Sequence, residues 1–164
     1  MRGALRCFDR NGEGKAAKSA AELEALGVPG AEHRPALAAL LAESDVVSVH
    51  CPLNAATTRL CDAAFFAAMK PGATFVNTSR GPVVDQDALV AALDDPESGP
   101  ASAGLDVTDP EPLSPAHALV GRPDCVVLPH IGSATTETRR RMCDLALENL
   151  LSGLSGKPLP HPVA

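Results

Sequence analysis

Four short apolar runs, at residues 45–51, 73–77, 103–107 and 125–128, are separated by enough chain for a helix or a long loop. No other feature constrains the fold as tightly. Strands split by crossovers of this length pair in parallel, so the chain is expected to be α/β, a doubly wound parallel sheet. The runs are rich in Val, Leu, Ala and Phe and read as buried strands. Between them, residues 35–43 read as a helix with proline at its start. Residues 63–69 read as a short helix stopped at Lys70-Pro71-Gly72, and residues 86–93 as a helix with Asp85 as N-cap. Met142, Leu145, Ala146, Leu150 and Leu151 recur at helical spacing, predicting a long closing helix over 135–151. The tail at 157–162 carries three prolines and is expected to be extended.

The first thirty residues are less regular. Residues 4–8 form a short apolar run ending at Asp9-Arg10, followed by the turn signal Asn11-Gly12-Glu13-Gly14. Residues 15–26 favour helix until Val28-Pro29-Gly30 interrupts them, and residues 94–100 form an Asp-, Pro- and Gly-rich loop. With 164 residues, 45% of them hydrophobic, the chain can bury one core. Aromatic residues are only 2%, which predicts a core of Ala, Val and Leu. A net charge of −6 argues against a nucleic-acid partner, and Arg139-Arg140-Arg141 reads as the solvated side of a helix. The five cysteines are odd in number and lack CxxC spacing, so neither a disulfide framework nor a metal site is expected. With no apolar leader and no membrane-length run, the expectation is a reduced, soluble, cytoplasmic protein without a membrane partner.

Ligands of open parallel sheets bind at the carboxyl ends of the strands. Three such ends here carry complementary groups: Arg80 in Asn77-Thr78-Ser79-Arg80-Gly81, Asp106 and Glu111 in residues 106–112, and His130 in Leu128-Pro129-His130-Ile131-Gly132-Ser133. Arginine presents a planar fork that matches a carboxylate bidentately. Histidine holds and releases a proton near neutral pH. A glutamate accepting a hydrogen bond from that histidine would fix the ring and favour its protonated form. Each residue alone has an ordinary reading as a loop residue; the conjunction is far more specific.

These motifs, with Gly104-Leu105-Asp106-Val107-Thr108 and Gly81-Pro82-Val83-Val84-Asp85, resemble the D-2-hydroxyacid dehydrogenases that use NAD or NADP. The resemblance runs from about residue 37 to 162. Cys51-Pro52-Leu53 and Phe65-Phe66 look most like the glyoxylate/hydroxypyruvate reductase branch. It implies a Rossmann-like fold and an enzyme moving a hydride between NAD(P)H and a small 2-oxo acid. By the same resemblance Arg80 binds the substrate carboxylate, His130 donates the proton and Glu111 holds His130. Asp106 meets the nicotinamide end or the substrate. Cys51, Pro52, Leu53, Thr78 and Ser79 lie along the cofactor, with Gly132 and Ser133 beside the reacting centre. A homodimer is implied likewise. Glu111 favours a 2-hydroxy acid over formate, because a proton must move along with the hydride.

The sequence departs from that family at its start. The glycine-rich phosphate fingerprint is missing, since Gly12-Glu13-Gly14 lacks the third glycine and a long strand before it. The preceding substrate domain is missing too, so an N-terminally truncated member is expected, with little activity of its own. Residues 1–34 then read as a remnant of the first half of the dinucleotide-binding domain. Residues 35–133 read as its second half with the catalytic residues, and 134–164 as closing helix and tail. In the strand order 3-2-1-4-5-6 the first strand is central. Its loss should leave residues 4–8 without a partner and the strand at 45–51 with an open edge. At the ribose position, Asp9 suits NAD and Arg10 suits NADP. Alternatives within reach are another member such as a phosphoglycerate dehydrogenase, or a non-catalytic, NAD-sensing corepressor of the same fold.

Overall fold

The computed structural model describes residues 6–7, 32–95 and 97–162. The chain divides into two compact units, residues 1–129 and 130–164. The first unit carries two parallel sheets. One pairs β1 (Arg6–Cys7) with β2 (Glu32–His33). The other has four strands in sequential order: β3 (Val46–Val49), β4 (Thr74–Asn77), β5 (Ser102–Leu105) and β6 (Cys125–Val127). Its register sets Val49 beside Asn77 and Asn77 beside Leu105, so the ends of β3, β4 and β5 are level. Among the described residues of this unit, three helices and one 3-10 turn lie between the strands: α1 (Leu37–Glu43), α2 (Ala63–Ala67), the turn Gly81–Val83, and α3 (Gln86–Leu93). This is the parallel α/β arrangement expected from the sequence.

Two expectations about strands need correction. Residues 6–7 do have a partner, because residues 32–33 extend and pair with them in parallel. The strand at 46–49 and the one at 125–127 are not buried on both faces. Val46 is 61% exposed and Val126 60%, on the two strands that, among the described residues, stand at the edges of the sheet. The expected features at 8–30, including the turn at 11–14 and the helix at 15–26, lie outside the described residues.

The core is mostly the Ala, Val and Leu expected from composition, with an aromatic cluster that composition did not suggest. That cluster is Phe65, Phe66 and Phe75, which meet edge to face with ring centroids 5.1–6.0 Å apart. Phe66 and Phe75 are among the largest fully buried side chains. Aromatics are few in this chain, but three of the four sit on α2 and β4, where they meet in one place. Edge-to-face pairs of this kind add ~0.5–1.5 kcal/mol beyond burial. Leu41, Leu89, Leu93, Val47, Val49, Val83 and Leu105 surround them.

Helix starts follow their caps. Asp62 accepts from the Phe65 amide and Asp85 from the Ala88 amide, which confirms Asp85 as the N-cap of α3. Without a side-chain cap, α1 begins at Leu37, two residues after the expected Pro35. In the second unit, α4 (Thr136–Leu154) opens with Thr135 Oγ1 accepting from the Thr138 amide. None of its residues is buried, Arg139, Arg140 and Arg141 included. The tail is extended and doubles back on α4. The Asn149 amide group donates to the His161 carbonyl and accepts from the His161 amide, and the His161 ring meets Glu148 at 2.7 Å.

Candidate active site

Arg80 is presented by a turn that Asn77 builds. Asn77 ends β4 fully buried; its side-chain oxygen accepts from the Ser79 amide at 3.0 Å, and its side-chain nitrogen donates to the Arg80 carbonyl at 3.0 Å. A buried amide satisfied on both sides closes the turn. Ser79, expected beside the cofactor, is buried, and its hydroxyl donates to the Cys51 carbonyl. That bond ties the loop after β3 to the loop after β4. Thr78 and Arg80 stay exposed between these ties, and the Arg80 guanidinium donates to the Ser79 carbonyl at 2.6 Å.

The next loop is locked against the first. The Asp106 amide donates to the Asn77 carbonyl at 3.0 Å, and Asp106 is buried. Gly81 lies so close to Thr108 that a Cβ on it would fall inside the Thr108 carbonyl and 2.8 Å from the Asp109 nitrogen. Only glycine permits this approach. Glu111 then bends back, its Oε1 accepting from the Thr108 amide at 3.0 Å, while Thr108 Oγ1 donates to the Pro110 carbonyl. The loop after β3 is braced separately. Thr57 Oγ1 donates to the Pro52 carbonyl, Asn54 Oδ1 accepts from the Ala56 amide, and Pro52 and Leu53 remain exposed.

The structure therefore brings the loops of Cys51, Arg80, Asp106 and Glu111 to one end of the four-stranded sheet. His130, Gly132 and Ser133 open the second unit. His130 has φ of +55°, a left-handed conformation for a non-glycine residue, and the Ala134 amide closes a turn on the Ile131 carbonyl. Asp9 and Arg10 lie outside the described residues. Two contributors were not expected from the sequence: Asn77, which shapes the Arg80 turn, and Gln86, which grips Asp109 by both of its peptide groups. A polar residue ending an apolar strand was the available signal for Asn77. Gln86 gave none.

Burial pushes the Cys61 thiol up to about 12, and burial also raises Cys125. Cys51, Cys61, Cys125 and Cys143 are all free thiols.

Residues 15–132 match the family model of the D-isomer specific 2-hydroxyacid dehydrogenase NAD binding domain. The chain belongs to this family. It is 50% identical over 144 residues to the mouse glyoxylate reductase/hydroxypyruvate reductase, covering 87% of this chain and 41% of that protein. Among solved structures, the apo D-mandelate dehydrogenase of Rhodotorula graminis superposes with a TM-score of 0.81 at 40% identity, covering 98% of this chain and 44% of the other. A D-isomer specific 2-hydroxyacid dehydrogenase of Xanthobacter autotrophicus, solved with NADPH and MES, gives 0.76 at 31% identity, covering 97% of this chain and 60% of that one. This family member thus spans less than half the length of the mouse relative.

Proposed function

We propose that this chain carries the catalytic loops and part of the cofactor site of a reductase that moves a hydride between NAD(P)H and a small 2-oxo acid, glyoxylate or hydroxypyruvate. The observation that carries the reading is the interlock of the Arg80 and Glu111 loops through Gly81. It fixes an exposed guanidinium and an anchored carboxylate on one strand-end surface. The matched relatives named for glyoxylate, hydroxypyruvate and NADPH support the choice of substrate and cofactor.

The donor set fits a dinucleotide's nicotinamide end. Leu53, 42% exposed, and Pro52 offer an apolar ledge for a flat ring, and the exposed Thr78 hydroxyl lies one residue past β4. When bound there, the cofactor supplies or takes up the hydride. The remaining chemistry belongs to the chain. Arg80 turns its fork from the Ser79 carbonyl to the substrate carboxylate, a stronger, charged acceptor. Its charge also draws electrons from the adjacent carbonyl. His130 gives its ring proton to the carbonyl oxygen as that oxygen becomes a hydroxyl. Asp106, which follows β5, belongs to the same strand-end surface as Arg80. We further propose that the protein acts in a reducing, cytoplasmic compartment as a homodimer.

Titration of NADH and NADPH against the 164-residue chain, read by nicotinamide fluorescence, tests the cofactor half. Saturable binding of at least one is expected, and binding of neither overturns the reading. Turnover by these residues alone is expected to be low, because the sequence holds no glycine-rich helix start for the pyrophosphate. In a polypeptide that does turn over hydroxypyruvate, His130→Ala should lower kcat by ~10²–10⁴.

A further inference from the structure

We infer that Gln86 is a positioning residue for Glu111, acting through the Thr108–Asp109 backbone; the inference rests on the reductase reading above. Gln86 is the first residue of α3, and its side chain does not enter the core. Its amide oxygen accepts from the Asp109 amide at 2.9 Å, and its amide nitrogen donates to the Asp109 carbonyl at 2.6 Å. A side-chain amide has one donor end and one acceptor end, so it can pair with both groups of one residue's backbone. That two-point contact fixes direction as well as distance.

Three further observations connect this clamp to Glu111. The Thr108 amide, one residue before the clamped one, donates to Glu111 Oε1. The Thr108 carbonyl is pressed by Gly81 from the opposite loop. The base of the clamp is itself rigid: Asp85 caps α3, its amide donates to the Cys61 carbonyl at 3.0 Å, and Leu89 and Leu93 anchor the helix in the core. The 108–109 peptide is thus held between Gly81 and Gln86, and the Glu111 carboxylate takes its place from the amide of Thr108, in the adjoining peptide. Both clamp bonds lie in exposed surroundings where water competes. A single such bond would hold the loop weakly; two on one side chain share the cost of fixing it.

Length and charge make the choice specific. Asparagine is shorter by one methylene, about 1.5 Å, and cannot reach both groups. Glutamate keeps the acceptor, loses the donor and brings a negative charge towards Asp109 and Glu111. Alanine removes both bonds.

The test uses the 164-residue chain, isotopically labelled, without cofactor or substrate. Amide hydrogen exchange is measured at Thr108 and Asp109, with Val76 and Gly104 in the sheet as references, together with the Glu111 side-chain carboxyl 13C shift. Gln86→Ala and Gln86→Asn should accelerate exchange at Thr108 and Asp109 by about tenfold or more. The sheet amides should stay within about twofold and the Glu111 carboxyl signal should move. Gln86→Glu should fall between these variants and the parent at Asp109. Unchanged exchange at Thr108 overturns the inference, as does a static Glu111 signal. So does acceleration spread evenly over the sheet, or a chain that no longer folds, because either would make Gln86 a general stability residue. Failure to bind NAD(P)H would remove the reductase reading and leave these signals untouched, so the two failures are distinguishable.

Discussion

Gly81→Ala is the most demanding test of how the site is assembled. The added methyl would land inside the Thr108 carbonyl and 2.8 Å from the Asp109 nitrogen. All of these are backbone atoms, so no side chain can swing away to make room. The loop of residues 106–112 must then retreat from the Arg80 turn. Its retreat strains or breaks three hydrogen bonds that tie it to its surroundings: the Asp106 amide to the Asn77 carbonyl, and both bonds between Asp109 and Gln86. At ~0.5–1.5 kcal/mol each, with ~1–3 kcal/mol for overpacking, the expected loss is ~3–7 kcal/mol. Against a typical total of ~5–15 kcal/mol, this is a large fraction. For a chain of this size the melting temperature should fall by roughly 10–20 °C, or the protein should fail to fold. Urea unfolding followed by circular dichroism gives the free energy directly. A variant that unfolds within about 0.5 kcal/mol of the parent would refute the close approach of the two loops.

Three other outcomes follow from single groups. Thr135→Ala removes the N-cap of α4 and should cost about 1 kcal/mol, read as lost helicity and a lower urea midpoint. A thiol reagent at pH 8 should label exposed Cys143 quickly and Cys61 only on unfolding, since burial holds the Cys61 thiol at about 12; fast labelling of Cys61 in the folded chain would contradict its burial. Arg122 bridges Asp94 and Asp124, and its hydrogen bond holds the Asp124 carboxyl below its ordinary value. A lowered folded-state value stabilises the fold above the unfolded value of about 4, and that stability is lost as pH falls further. Arg122→Gln should therefore reduce stability at pH 7 and flatten its decline between about pH 5 and 2, measured by thermal melts across that range; parallel curves would exclude the ion pair as the cause.

The sheet was legible in the sequence because each strand is a compact apolar run between breakers, and because crossovers of this length leave parallel pairing as the ready solution. The cap at Asp85 was legible for a local reason: a carboxylate before a helical run has only nearby amides to satisfy. The pairing of residues 6–7 with 32–33 was not, since two-residue strands carry too little pattern to separate from loop. Burial of the edge strands was overestimated because a run of apolar residues does not reveal which of its faces another element covers. The phenylalanine centre was missed for another reason: overall composition dilutes three residues that tertiary structure concentrates. On the strand-end loops, the charged residues Arg80 and Glu111 stood out in the sequence because they sit in specific motifs. The groups that aim them did not. Gly81 looks like any glycine before a proline, and Gln86 like any polar residue at a helix start.

That division has a physical logic. The residues placing the charged loops are neutral: the Asn77 amide, the Gln86 amide, the missing side chain of Gly81 and the Ser79 hydroxyl. A charged anchor would hold these loops by attraction to Arg80 or Glu111 and would compete with a ligand for the same charge. An amide instead satisfies one donor and one acceptor of the backbone and adds no net field. Arg80 keeps a guanidinium whose recorded side-chain bond goes to a neutral carbonyl, an acceptor that a carboxylate displaces at small cost. The loops are thereby held by groups that add no net charge of their own, the arrangement that the proposed hydride transfer would use.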